Sequence, residues 1–155
     1  TTIKLYLIKF FILLIFFSLI IGAFVSGMDA GKIYNSWPMM GSSFFPDDSR
    51  HSEFLCLKVF DNPSIVQFLH RCLASFIVIV YIYLLILAFK EKNKVLLKPV
   101  LIIGIFLLFQ VGLGILTILS GVKIVYASLH QINSIFIILT TLYFLYISKY
   151  KEVTN

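Results

Sequence analysis

The stretch IVQFLHRCLASFIVIVYIYLLILAF, residues 65–89, decides the fold. Wound as an α-helix at 1.5 Å per residue it would extend about 37 Å, enough to cross the hydrocarbon of a bilayer. A membrane strand needs only about 10 residues of alternating polarity, and this run does not alternate. Three more windows share its length and character: Leu5 to Val25, Leu96 to Leu119 and Ile124 to Ile147. The expectation is an all-α integral membrane four-helix bundle, up-down-up-down, forming a single membrane domain over 1–155 with an outer loop at 28–64.

Composition agrees with that reading. Of 155 residues, 60% are hydrophobic and 13% charged, and the mean hydropathy is +1.01, too apolar for a soluble domain of this size. Lys4 and Lys9 ahead of the first window raise the alternative of a signal peptide, but its apolar run exceeds the usual ~7 to 15 residues and three spans follow. A chain that opens on Thr1-Thr2 reads as a fragment or an excised domain.

Lysines set the expected orientation. Lys4 and Lys9, then Lys90, Lys92, Lys94 and Lys98, then Lys149 and Lys151 fall on one side of the membrane, which the positive-inside rule makes cytoplasmic, with both termini there. The net charge of +6 therefore speaks of topology and anionic lipid headgroups, with no nucleic acid as partner.

Two histidines, His70 and His130, lie inside apolar windows. Each stands about five or six residues past the outer end of its helix, roughly 8 to 10 Å deep. An imidazole at that depth is a functional-site candidate, and in an up-down bundle helices 2 and 4 are diagonal, so both rings can reach one ligand in the core. Small residues near that level leave room: Gly22, Ala23, Ser26 and Gly27, then Gly112, Gly114 and Thr117, with Ala74 and Ser134 one turn below the histidines. Plain helix packing explains the glycines equally well. Zinc wants three or four protein ligands, and a two-histidine, one-carboxylate iron site wants an acid that neither helix offers. Heme needs only two axial ligands, so His70 and His130 are the expected iron ligands; histidines that merely hydrogen-bond across the bundle stay an alternative.

Arg71 follows His70 directly and must find an anion: a propionate, Asp29, or lipid phosphate. Lys123 is a candidate for a second propionate. The inner halves are expected to be filled by Phe11, Phe16, Ile79, Ile82, Leu85, Leu107, Phe136 and Leu142, with no second polar cluster, which argues against a transmembrane electron wire.

The outer segment, Met28 to Ser64, is long for an inert connection. Trp37, Phe44, Phe45, Phe54 and Phe60 suggest that it packs over the outer mouth, with Arg50 to Phe60 as a short interfacial helix. Asp47, Asp48, His51 and Glu53 make a weak metal candidate, since charged loop clusters are usually solvated. Cys56 and Cys72 have neither CxxC nor CxxCH spacing, which excludes covalent heme and disfavours a disulfide.

The runs GAFVSGMDAGKIYNSWPMM (22–40), VQFLHR (66–71) and QVGLGILT (110–117), followed by LHQ (129–131), resemble in order the C-terminal half of heme A synthase, in its proteobacterial and mitochondrial type. The resemblance spans nearly the whole chain. It implies one half of an eight-helix, pseudo-symmetric inner-membrane oxidoreductase, bacterial rather than mitochondrial, that oxidises the C8 methyl of heme O to a formyl group, giving heme A for cytochrome oxidase. It also implies a heme b cofactor on the histidines that match His70 and His130, with substrate chemistry in the N-terminal half of the same enzyme. That half is absent from these residues, so catalytic residues stay unknown; Leu69, Trp37 and Met39 are milder departures. Implied partners are membrane lipid, the N-terminal half and heme O, with contact to heme O synthase and a homo-oligomer left open. The alternatives are a free-standing bis-histidine b-type cytochrome and a non-heme structural or assembly membrane protein.

Overall fold

The computed structural model describes residues 3–50, 57–91 and 93–153. Four helices account for most of them: α1 (Leu5–Gly27), α2 (Pro63–Lys90), α3 (Lys94–Leu119) and α4 (Ile124–Val153). All four are long and apolar enough to cross a membrane, and the chain is a multi-pass membrane protein. The expected spans hold to within a few residues except at the end of α4, which runs past Ile147. No strand occurs among the described residues beyond an isolated bridge between Met40 and Ser43.

Helix ends follow local chemistry. Asn62 caps α2 by accepting from the Ser64 and Ile65 amides at 3.0 and 3.4 Å, and Pro63 occupies the first helical turn, where its missing N–H costs nothing. Asn93 caps α3 through the Val95 amide at 3.0 Å. The α3–α4 turn needs two successive left-handed residues, Gly121 (φ 71°) and Val122 (φ 62°). A β-branched residue in that region is strained, and Val122 is held there with its side chain turned toward Gly31, where a Cβ would stand 3.1 Å from its Cγ2.

The helices form a ring in which α1 meets α2, α2 meets α3, α3 meets α4 and α4 returns to α1, so α2 and α4 stand on the diagonal. The closed core lies in the half of the bundle that carries the chain termini. Ile8, Phe11, Leu84, Leu96, Ile103 and Phe144 are its largest members. Lipid tails are as apolar as these side chains, so close van der Waals packing rather than escape from water holds them together. The sequence expectation for this core is met at three of its eight positions. Phe11 and Leu107 are buried and Leu85 packs against them, but Phe16, Ile79, Ile82, Phe136 and Leu142 are 42–62% exposed and face outward. Helices that are apolar all round carry no pattern to tell the lipid face from the core face.

Toward the other end the core thins out. Buried residues on α1 stop at Ile15 and on α3 at Leu107, and α2 has none between Gln67 and Ile77. The segment between α1 and α2 folds over this looser half as a cap. Its first piece is a short 3₁₀ turn, Ala30–Lys32, and its last a 3₁₀ turn, Leu57–Asp61; the short helix expected over Arg50 to Phe60 falls mostly on residues 51–56, which lie outside the described residues. Asn62 ends that turn, being extended so that it can cap α2. Phe60 stacks near Phe24 of α1 and Phe45 near Phe68 of α2, each pair with ring centres 5.3 Å apart.

In the closed half, Gly104 of α3 leaves space for Tyr81 of α2, whose hydroxyl donates to the Val100 carbonyl at 3.1 Å. An added Cβ there would overlap the phenol oxygen and crowd its ring. Gly104→Ala is therefore expected to destabilise the bundle by about 1–3 kcal/mol. Gly112→Ala, whose Cβ would meet nothing within 4 Å, is expected to cost nothing. Thermal unfolding of both variants in detergent checks the contrast.

Candidate functional site

The imidazoles of His70 and His130 face each other across the diagonal, with ring centres 6.5 Å apart and planes at 75°. Each is admitted by a glycine on the preceding helix. A Cβ on Gly22 of α1 would stand 3.2 Å from His70 Cε1, and one on Gly114 of α3 would stand 3.1 Å from His130 Cε1. Without those side chains the rings lie against helix backbone, His70 beside the Ser18 carbonyl and His130 beside the Gln110 carbonyl. In both hairpins the carbonyl belongs to the residue four positions before the glycine, so the two halves of the site repeat one local design.

Their polar partners differ. His130 Nδ1 donates to the Gln110 carbonyl at 3.1 Å, while the Gln110 side-chain amide donates to His130 Nε2 at 3.2 Å. Together these contacts set the tautomer, with the proton on Nδ1 and a lone pair on Nε2. Asn133, on α4, donates to Gln110 Oε1 at 2.7 Å and to the Phe106 carbonyl at 2.8 Å, which fixes the Gln110 side chain. His70 Nδ1, by contrast, is buried without reaching hydrogen-bond geometry to any group among the described residues, the nearby Ser18 carbonyl included.

Arg71 does not pair with Asp29. That carboxylate turns to Lys32 at 2.8 Å, because Asp29 is left-handed (φ 53°) and opens the Ala30–Lys32 turn, with both charged side chains exposed. The guanidinium instead donates to cap carbonyls, Nη2 to Tyr34 at 3.1 Å and Nη1 to Met39 at 3.4 Å. Gln67, one turn earlier, donates to the same Tyr34 carbonyl at 3.1 Å. Among the described residues, the buried side-chain polar atoms without a partner are Gln67 Oε1, His70 Nδ1 and Arg71 Nε. Positions 67, 70 and 71 share one face of α2. Unmet buried groups each cost about 1–3 kcal/mol, and these three gather on the α2 face that carries His70.

The cap is pinned to both hairpins. Tyr34 is held by Gln67 and Arg71 of α2, and the next residue, Asn35, donates from Nδ2 to Gly31 and to the Ile118 carbonyl of α3, both at 3.0 Å. Farther along, Asp47 accepts from the Ser42 amide at 2.7 Å and from the Ser42 and Ser43 hydroxyls at 3.1 Å. Asp48 accepts from the Ser64 hydroxyl at 2.7 Å, and its own amide donates to the Tyr34 hydroxyl at 3.2 Å. Burial pushes the Tyr34 phenol above its ordinary value, which keeps it neutral for that contact. Both carboxylates are thus spent on loop structure, and His51 and Glu53 of the metal candidate lie outside the described residues. Lys123 is exposed, and Cys72 is a free thiol on an exposed part of α2.

Gln67, Gln110 and Asn133 went unweighed in the sequence reading. The signal was there, since an amide inside a span needs a partner as much as an imidazole does.

Fold and site together define a polytopic helical membrane protein with a paired-histidine centre under an extramembrane cap. Residues 2–142 match the family described as cytochrome oxidase assembly protein, and the chain belongs to that family. A heme A synthase of Pelagibacter ubique is 45% identical over 140 residues, covering 90% of this chain and 40% of the relative. One of Rickettsia bellii is 40% identical over 124 residues, covering 80% and 37%, and one of Wolbachia pipientis is 36% identical over 140 residues, covering 90% and 38%. The chain spans about two fifths of the length of these curated relatives. No solved structure matches it.

Hydrogen bonds from Ser42, the backbone amide first and then the hydroxyl, with that of Ser43, hold the Asp47 carboxyl below its ordinary 3.8. Partial burial pushes Asp48 up, but hydroxyls of Ser64, Ser49 and Tyr34 together bring it below the same value. Folding thus favours both carboxylates, and their contribution is complete above the ordinary value and lost as pH falls through the lower folded ones. Fluorescence of Trp37, which sits in the cap and is the chain's single tryptophan, is expected to stay constant from about pH 7 to 5 and to change below about pH 4. Asp47→Asn should show the altered cap signal already at neutral pH.

Proposed function

We propose that this chain is the heme b-holding half of a heme A synthase-type oxidoreductase, seated in a bacterial inner membrane with both termini cytoplasmic. The observation that carries the reading is the diagonal pair of imidazoles at 6.5 Å. Metal–imidazole bonds are about 2 Å, so rings at this spacing would be close enough for one nitrogen of each to hold the same metal atom. The spacing fits. So does the donor chemistry, because two neutral nitrogens would suffice to hold a heme iron while zinc asks for more. No group of three or more metal-ligating side chains occurs among the described residues.

A heme bound here would supply one-electron redox chemistry inside the bundle. His70 and His130 would hold the iron, and the Gln110 carbonyl, by keeping the proton on His130 Nδ1, leaves Nε2 as the ligating atom. The Gln110 amide now on Nε2 has to turn aside for ligation. Arg71 offers its unpartnered Nε to an anionic edge such as a propionate. Gly22 and Gly114 let the rings sit back against backbone, and the cap keeps water from the outer mouth.

The oxidation of heme O to heme A, and any contact with heme O synthase, is assigned to the complete enzyme, whose remaining helices would bring the substrate site. Both proposed ligands lie in this one chain, which favours as second reading a free-standing b-type cytochrome. Co-expression with the four-helix N-terminal half of a relative separates the two: heme A made from heme O supports the enzyme, and unchanged heme O supports the cytochrome.

Heme binding itself is tested by reduced-minus-oxidised spectra of the purified chain supplied with heme b. A six-coordinate b-type spectrum is expected, lost or converted in His70→Ala and His130→Ala and kept in His51→Ala, which alters the third histidine. Arg71→Leu should keep ligation while shifting the potential. Equal loss in His51→Ala would refute the assignment.

A further inference from the structure

Lys94 and Lys98 stand one turn apart at the start of α3, both exposed, on the membrane side that carries the chain termini. Positions four apart lie on one helix face. Neither makes an ion pair among the described residues, where Lys32 with Asp29 is the salt bridge present. Lys98 is the more demanding of the two. It lies a full turn inside a candidate span, next to Pro99 and above Leu101 and Ile102, where a cation must snorkel or find an anion.

Below this pair the surface is grooved on both sides. One groove, of about 480 Å³, runs between α3 and α4 past Val95, Ile102, Tyr143 and Ile147; the other, of about 470 Å³, runs along α3 past Leu97, Leu101, Ile102 and Ile105. Both are lined by Lys94 and Lys98 at the top and share Ile102 as the ridge between them. The exposed tyrosines Tyr143, Tyr146 and Tyr150 of α4 lie toward this end, as aromatic side chains do at a membrane–water boundary.

We propose that this feature is a binding site for one anionic phospholipid, with its phosphate between Lys94 and Lys98 and one acyl chain in each groove. The geometry matches the ligand part by part: two cations for one phosphate, two apolar channels for two chains, and a common origin at headgroup height. Charge selects the headgroup and the grooves select a diacyl lipid over a free phosphate. The site lies at the opposite end of the bundle from the histidine pair and does not depend on how that pair is used.

The test uses the full chain in nanodiscs of equal phosphatidylglycerol and phosphatidylcholine, released into detergent, with retained lipid read by native mass spectrometry. Wild type is expected to keep phosphatidylglycerol preferentially. Lys94→Gln with Lys98→Gln should lower that retention by roughly twenty-five-fold, since each cation near an anionic surface is worth about fivefold. Ile102→Trp, which keeps every charge but fills the ridge between the grooves, should lower it as well. Lys149→Gln, a basic position that lines neither groove, should leave it unchanged. Equal retention of the two lipids by wild type, loss in Lys149→Gln matching the double variant, or full retention in Ile102→Trp would each overturn the site.

Discussion

The hydrogen bond from His130 to the Gln110 carbonyl is the contact on which the outer half of the bundle depends. An imidazole in hydrocarbon has to satisfy its N–H, and a helix backbone normally hides its carbonyls behind side chains. Gly114 removes the obstruction four residues past the carbonyl, and Gly22 does the same for the ring of His70. The glycines therefore fix how closely α2 approaches α1 and α4 approaches α3. Through that, they fix the 6.5 Å between the rings.

The two ends of the bundle are held by different forces. Near the chain termini, Phe11, Leu84, Ile103 and Phe144 interlock, and among the described residues there the hydroxyls of Thr141 and Ser148 bond their own helix while that of Tyr81 reaches the Val100 carbonyl of α3. Toward the cap, side-chain amides and the guanidinium do the work, with each hydrogen bond between membrane helices adding about 0.6–1.7 kcal/mol. An apolar, closely packed base under a polar, loosely filled upper half suits the role proposed above.

The fold was legible because bilayer thickness is a ruler: it sets helix length, and it sets the depth at which a polar residue becomes conspicuous. His70 and His130 were found that way. Which apolar residues face the core was not legible, because Phe16 and Phe11 are alike to hydrocarbon and only the neighbouring helix distinguishes them. The partners of Arg71 were hidden for another reason. They are main-chain carbonyls 32 and 37 residues away in a loop, and a carbonyl has no signature in the sequence. Asp29, the charge that suggested itself, had a closer cation in Lys32.

Two consecutive cap residues, Tyr34 and Asn35, grip different hairpins, one through Gln67 and Arg71 of α2 and the other through Ile118 of α3. They act as a clasp whose jaws are the two halves of the bundle. To spread the histidines apart is to open that clasp, and its hinge hardware, down to the Asp48 amide on the Tyr34 hydroxyl, sits in water. The spacing that the two glycines set deep in oil is in this way braced from the cap, by exposed loop contacts that ions and protons can reach without ever entering the bilayer.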